Sequence, residues 1–227
     1  VQTCALPISE VYLFSYKYAH ICKKQVTFLL TKQIRKMSNT IAIVDYGMGN
    51  LYSIKKKLHR LNINSVITSD KQVISKAGKI ILPGVGHFCK AMEQIRKLDL
   101  FNTLNHCVLE DKKPILGICL GMQLMANHSE EGNGDGFGWF DANVVRFKIN
   151  NTGKFKVPHM GWNTITNEKE SFLLKGIPEV SEFYFVHSYH VVANYKPDVL
   201  CKTIYEQEFC SARSEEHTSE LQSRLHL

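Results

Sequence analysis

The stretch KPILGICLGMQ, residues 113–123, does most to limit what this chain can fold into. A short apolar run ends in Gly117-Ile118-Cys119-Leu120-Gly121 and passes into MQLMANHS, which reads as a helix. Glycines on both sides of Cys119 permit a tight strand-to-helix turn that presents the central side chain, the geometry of a nucleophile elbow. A cysteine so placed lies near a helix N-terminus, which favours its thiolate. The backbone N–H of Leu120 would then point toward an oxyanion. The same pattern also fits a buried cysteine in a glycine-rich turn, and this motif alone does not choose between the two.

The surrounding chain supplies the architecture that such a turn needs. TIAIVDYG reads as a buried strand ending in a turn, and NLYSIKKKLHRLN carries Leu51, Ile54, Leu58 and Leu61 on one helical face. INSVIT and KIILPGVG are further strands, and FCKAMEQIRKLDLFNTLNHCVLED is helical over most of its length. Strands alternating with helices predict an α/β fold with a largely parallel sheet. LPGVG ends its strand in a second glycine-rich turn, where Val85 could offer another oxyanion donor; taken alone it reads rather as a plain turn. Two such turns at the C-terminal ends of parallel strands are where α/β sites form. After Gly132 the texture becomes β-rich: WFDANVVRF, FKVPHMGWNTI, EFYFVHSYHVV and VLCKTIY are strand-like runs joined by Gly, Asn and Pro.

Charge and cysteine usage exclude several classes. The net charge of +7 is uneven, with six Lys/Arg and one Glu in residues 1–36 and two Arg and three Glu in residues 213–227, which leaves +3 between them. That is too weak for a nucleic-acid footprint. The seven cysteines are scattered, with no Cys-x-x-Cys pair, so a reduced cytoplasmic protein without a zinc site is expected. The apolar stretch VYLFSYKYAHICKKQVTFLL is broken by Lys17, His20, Lys23 and Lys24, and no membrane span is expected.

LPGVG, GICLGMQ, KVPHMGWN and YFVHSY together resemble the class I glutamine amidotransferases, over roughly Met37 to Ala212. IVDYGMGN and KVPHMGWN narrow the resemblance to the glutaminase subunits of imidazole glycerol phosphate synthases. The resemblance implies a flavodoxin-like fold, no cofactor, and a Cys119 thiolate that attacks the side-chain amide of glutamine. It assigns the oxyanion donors to Leu120 and Val85, and glutamine binding to Gly84, Gly86, Gln123, Ser188 and Tyr189. It implies ammonia transfer to a (β/α)8-barrel cyclase subunit in histidine biosynthesis. Asp45, Asn50, His159, Met160, Gly161 and Trp162 fall in motifs that resemble the partner interface. Without the resemblance, Trp162 would read as a core aromatic and His159 as a satisfied loop histidine. A paralogous amidotransferase feeding a different synthase, as in surface-sugar biosynthesis, fits the same motifs. A non-catalytic binding module of the same fold is the remaining alternative.

A thiol nucleophile needs a base, which the family carries in a His-Pro-Glu segment that this sequence lacks. His217 and Glu220 lie in EEHTSE, with no strand, turn or proline around them, and His187 and His190 belong to a different family element. The two ends suggest why. Codons for VQTCALPI, residues 1–8, can be chosen so that the opposite DNA strand encodes RSEEHTSE, Arg213 to Glu220. Residues 1–8 and 213–227 therefore read as translated sequencing adapter. Residues 9–36 read as upstream read-through, with a genuine N-terminal extension as the alternative, and 37–212 as an amidotransferase domain truncated at its C-terminus. The expectation is a chain without useful glutaminase activity even with its partner, and one that folds poorly because of an unpaired sheet edge and an uncovered core.

Overall fold

A computed structural model describes residues 40–178 and 181–214. The first half is built on four parallel strands in the order β2-β1-β3-β4. Strand β1, Ile41–Val44, is central and wholly buried, as its unbroken apolar run requires. It pairs in parallel with β2, Ser65–Thr68, and with β3, Lys79–Gly84. Strand β4, Ile115–Cys119, has β3 as its one partner among the described strands, and its first four residues are only half-buried.

Helix α1, Leu51–Arg60, begins where the Asn50 side chain accepts the Ser53 N–H at 3.3 Å. Lys57, His59 and Arg60 in its last turn face the negative end of the helix dipole. Leu51 and Leu58 pack with Ile41, Ile43 and Ile81 on one face of the sheet. Full burial of Leu58 contributes about 1.5–3 kcal/mol. A short helix α2, Lys71–Lys76, is not predicted by its two apolar residues; Asp70 creates it by accepting the Gln72 and Val73 N–H groups. Helix α3, Phe88–Lys97, buries Phe88, Ala91, Met92 and Ile95 against the opposite face. The helical stretch expected beyond it is interrupted at Asp99, which adopts φ 55°. It resumes as α4, Phe101–Asn105, followed by a π turn at His106–Glu110.

The helix after Cys119 is shorter than its sequence suggests. Helix α5 covers Leu120–Leu124 only, and His128–Ser129 forms strand β5, paired with β6, Gly134–Asp135. The cause is competition for carbonyls. Phe137, Gly138 and Trp139 donate their N–H groups to the oxygens of Leu124, Ala126 and Met125, so the helix cannot continue.

The β-rich half follows as β7, Ala142–Arg146; β8, His159–Asn167; β9, Ser181–His187; β10, Tyr189–Ala193; β11, Val199–Tyr205; and β12, Gln207–Arg213. Its order is β6-β5-β7-β10-β12-β11-β8-β9, almost all antiparallel. EFYFVHSYHVV, a single run in the sequence, is two strands bent at Ser188. Because β9 leads directly into β10, the sheet must curl. Phe147 closes the interior by ring contacts with His159, His187, His190, Tyr205 and Phe209. Ala142, Val144 and Val191 of this half share one core with Leu124, Phe137 and Phe140.

Strand β12 runs one residue past Ala212. The Arg213 guanidinium pairs with Asp198 at 2.5 Å and lies 3.6 Å from the Phe140 ring centre. The readings made for residues 1–8, for 9–36 and for the end segment from Glu215 onward fall outside the described residues.

The interior histidines make this half acid-sensitive. Burial holds His159 and His187 down at about 4 and also lowers His190. Folded-state values below the ordinary 6.5 mean that the unfolded chain binds more protons in the window between. Stability should be intact above about pH 6.5 and fall as pH drops toward 4. Thermal melts across that range check this; a flat profile would show that the imidazoles are charged or solvated in the fold.

Candidate active site

The parallel register places Gly84 opposite Cys119, so the two glycine-rich turns leave neighbouring strands side by side. Adjacent strands lie about 4.8 Å apart, which brings the backbone after Gly84 and the backbone after Cys119 to one spot at the sheet's C-terminal edge. Cys119 has φ 54° and ψ −115°, a strained conformation for a residue with a side chain. It persists because its flanks are locked. A Cβ on Gly121 would collide with the Leu82 carbonyl oxygen, and one on Gly117 would lie 2.7 Å from Met122 Cα.

Cys119 is exposed, whereas Cys107, Cys201 and Cys210 are buried and Cys89 is half-buried. Burial pushes the thiols of Cys201 and Cys210 up to about 12 and 11. Desolvation is also the largest influence on Cys119, raising its thiol, but the residue's open surface limits that push. The Leu120 N–H hydrogen-bonds the sulfur and opposes it, while the Glu131 carboxylate raises it further. The expected helix-dipole help is small, since α5 is a five-residue turn. None of these influences comes from a histidine, among the described residues.

The other expected residues fall into two groups. Val85 is exposed beside the turn, and Gly86 holds φ 112°. Gln123, nearly buried on α5, donates from Nε2 to the Tyr189 carbonyl at 3.1 Å, which ties Ser188 and Tyr189 to the Cys119 turn. Beneath LPGVG, the buried Tyr46 hydroxyl donates to the Pro83 carbonyl at 2.6 Å. Its ionisation is pushed up by burial and by the Cys119 sulfur. Asp45 and Asn50 lie on the loop after β1, where Asp45 accepts the Gly47 N–H at 3.0 Å and Asn50 caps α1. On β8, Met160 and Trp162 are exposed on one face, Gly161 has φ 144°, and His159 points the other way. The His159 ring is buried against Tyr205 and Phe185, at 3.8 and 5.0 Å between centroids. His217 and Glu220 lie outside the described residues.

The sequence patterns do not point to Glu131. Its Oε2 accepts the Phe88 N–H at 2.8 Å, capping α3, and its carboxylate is near enough to act on Cys119. The only hint is its place in the turn-rich segment between the two halves.

Comparison with known proteins decides the family. The family model described as "Glutamine amidotransferase class-I" matches residues 42–221. The chain belongs to the class I glutamine amidotransferase family. Curated relatives of this amidotransferase include "Imidazole glycerol phosphate synthase subunit HisH 2" of Methanococcus maripaludis, 48% identical, spanning 78% of this chain and 87% of the relative. The protein of the same name from Pseudomonas aeruginosa is 41% identical, over 76% and 84%. Among solved structures, a glutamine amidotransferase gives a TM-score of 0.55 at 17% identity, covering 71% of this chain and 79% of that one. A putative GMP synthase protein from Thermoplasma acidophilum gives 0.53 at 17% identity, over 79% and 81%. These structures bear out the α/β amidotransferase fold. Among the described residues of the amidotransferase, no helix is long and apolar enough to cross a membrane, and no cluster of three or more His, Cys, Asp or Glu could hold a metal ion.

Proposed function

We propose that this chain is the glutaminase subunit of an imidazole glycerol phosphate synthase, acting in histidine biosynthesis with a (β/α)8-barrel cyclase subunit. The single observation that carries the reading is the Gly84–Cys119 register, which sets a strained, exposed cysteine beside a second glycine-rich turn. The Cys119 thiolate adds to the side-chain amide carbon of glutamine. The oxyanion formed lies toward the N–H groups of Leu120 and Val85. Collapse breaks the C–N bond, and the nitrogen takes a proton from water to leave as ammonia. Water then adds to the γ-glutamyl thioester, releasing glutamate and returning the thiol. Gly84, Gly86, Gln123, Ser188 and Tyr189 surround the bound amino acid, and the Glu131 carboxylate suits its α-ammonium group. Ammonia passes to the cyclase, which docks over the face bearing Met160 and Trp162, exposed at 53% and 43%. Tyr184 supports that face, its ring 5.6 Å from Trp162.

Proton transfer is the weak step. No imidazole is among the influences on the thiol in the described residues, so capture of Cys119 by an electrophile that needs no proton donor is expected to outrun turnover by far. The test separates the two. A glutamine-derived chloroketone should alkylate Cys119 saturably, faster as pH rises through the raised thiol range, while glutamate release stays near background even with the cyclase present. Labelling at Cys119 that never saturates would defeat the glutamine-site reading. Vigorous glutamate release would show that the base is present after all.

A further inference from the structure

We infer that His187 is a positioning residue for glutamine, holding the Ser188–Tyr189 bend in register with the Cys119 turn through a carbonyl that it shares with Gln123. The inference rests on the glutaminase reading, because it gives that bend its task.

His187 ends β9 and Tyr189 begins β10, so Ser188 is the whole connection. A one-residue bend has no backbone hydrogen bond of its own to fix it, so side chains and neighbouring strands must hold its peptide groups. Three donors do so. The Phe147 N–H bonds the Ser188 carbonyl at 3.0 Å. The Tyr189 carbonyl is met by Gln123 Nε2 at 3.1 Å and by His187 Nδ1 at 2.8 Å. A carbonyl oxygen only accepts, so the close contact requires the proton on His187 Nδ1, which fixes the neutral ring's tautomer. Both lone pairs of the Tyr189 oxygen are then engaged.

The two donors come from different parts of the molecule. Gln123 sits one turn along α5 from Cys119. The His187 ring is wedged among Phe147, Phe209 and Phe185, at 5.2, 5.2 and 5.6 Å between centroids. The nucleophile's turn and the aromatic interior of the second half therefore meet at one oxygen. The distal nitrogen, Nε2, is buried without a hydrogen-bond partner. A phenyl or leucyl side chain would satisfy that environment better than an imidazole if packing were the only requirement. What an apolar side chain cannot supply is the Nδ1–H, and its sole acceptor is the bend.

The test follows saturable alkylation of Cys119 by a glutamine-derived chloroketone, with iodoacetamide as a reagent that needs no glutamine site. His187→Leu should raise the chloroketone half-saturation concentration about tenfold, the worth of one lost hydrogen bond of roughly 1.4 kcal/mol. Its maximal alkylation rate and its iodoacetamide rate should not change. His187→Asn, whose side-chain amide reaches the Nδ1 position, should restore most of the affinity. His187→Gln, whose amide reaches the Nε2 position instead, should not. The Asn and Gln variants have matched polarity, so their comparison stands even where the leucine variant folds poorly. Equal half-saturation for parent, Leu and Gln variants would overturn the inference while leaving the glutaminase reading intact. Failure of the parent itself to saturate would overturn both.

Discussion

Gly121→Ala should lower stability by about 3 kcal/mol, the upper end of the usual cost of forcing a methyl group into a packed site. For a domain of this size that is roughly a 10 °C fall in melting temperature. The added carbon would meet the Leu82 carbonyl oxygen of β3, with the Leu82 carbonyl carbon at 2.7 Å and the Pro83 carbonyl carbon at 3.3 Å. Those atoms belong to backbone in the middle of a parallel sheet and cannot rotate away. Relief requires α5 to lift off β3, which would also pull the Leu120 N–H away from the Cys119 sulfur. Loss of stability should therefore come with a rise in the pH at which Cys119 is alkylated. Calorimetry and alkylation profiles on the same sample check both effects. A variant that melts with the parent would mean that the turn and β3 are not in contact.

Replacing Cys119 has a less familiar expected result. Both Cys119→Ala and Cys119→Gly should abolish labelling by a glutamine-derived chloroketone. The glycine variant should also be more stable than the parent, whereas the alanine variant should not. Any side chain at φ 54° and ψ −115° carries a conformational penalty of about 1–3 kcal/mol. Glycine removes that penalty and gives back only about 0.5–1 kcal/mol through greater unfolded-state freedom. Urea unfolding of the three proteins checks the order. Glycine and alanine variants of equal stability would show the Cys119 backbone to be relaxed.

The parts of the fold legible in the sequence are those with local causes. The apolar runs of β1, β3 and β4, the amphipathic face of α1 and the two glycine-rich turns lie where their patterns place them. The pairing that sets those turns side by side follows from parallel strand order, which the alternation of strands and helices implies. The misses have distant causes. α5 stops early because residues 137–139, well along the chain, claim its carbonyls. One strand-like run becomes β9 and β10 because the sheet curls and Ser188 must bend. Glu131 acts on the Cys119 thiol because it caps α3 from across the fold, and nothing in its immediate neighbours signals that. His159 shares a motif with the exposed Met160 and Trp162, yet strand alternation turns it inward.

Strand β4 bears Cys119 at its end and has a neighbour on one side only among the described strands. Its other flank is a row of peptide groups spaced to register a further strand. Any strand added there in parallel would finish beside Cys119, about 5 Å away, within reach of a side chain as long as imidazole. A proton acceptor for the thiol thus has a natural direction of approach, from the flank opposite β3.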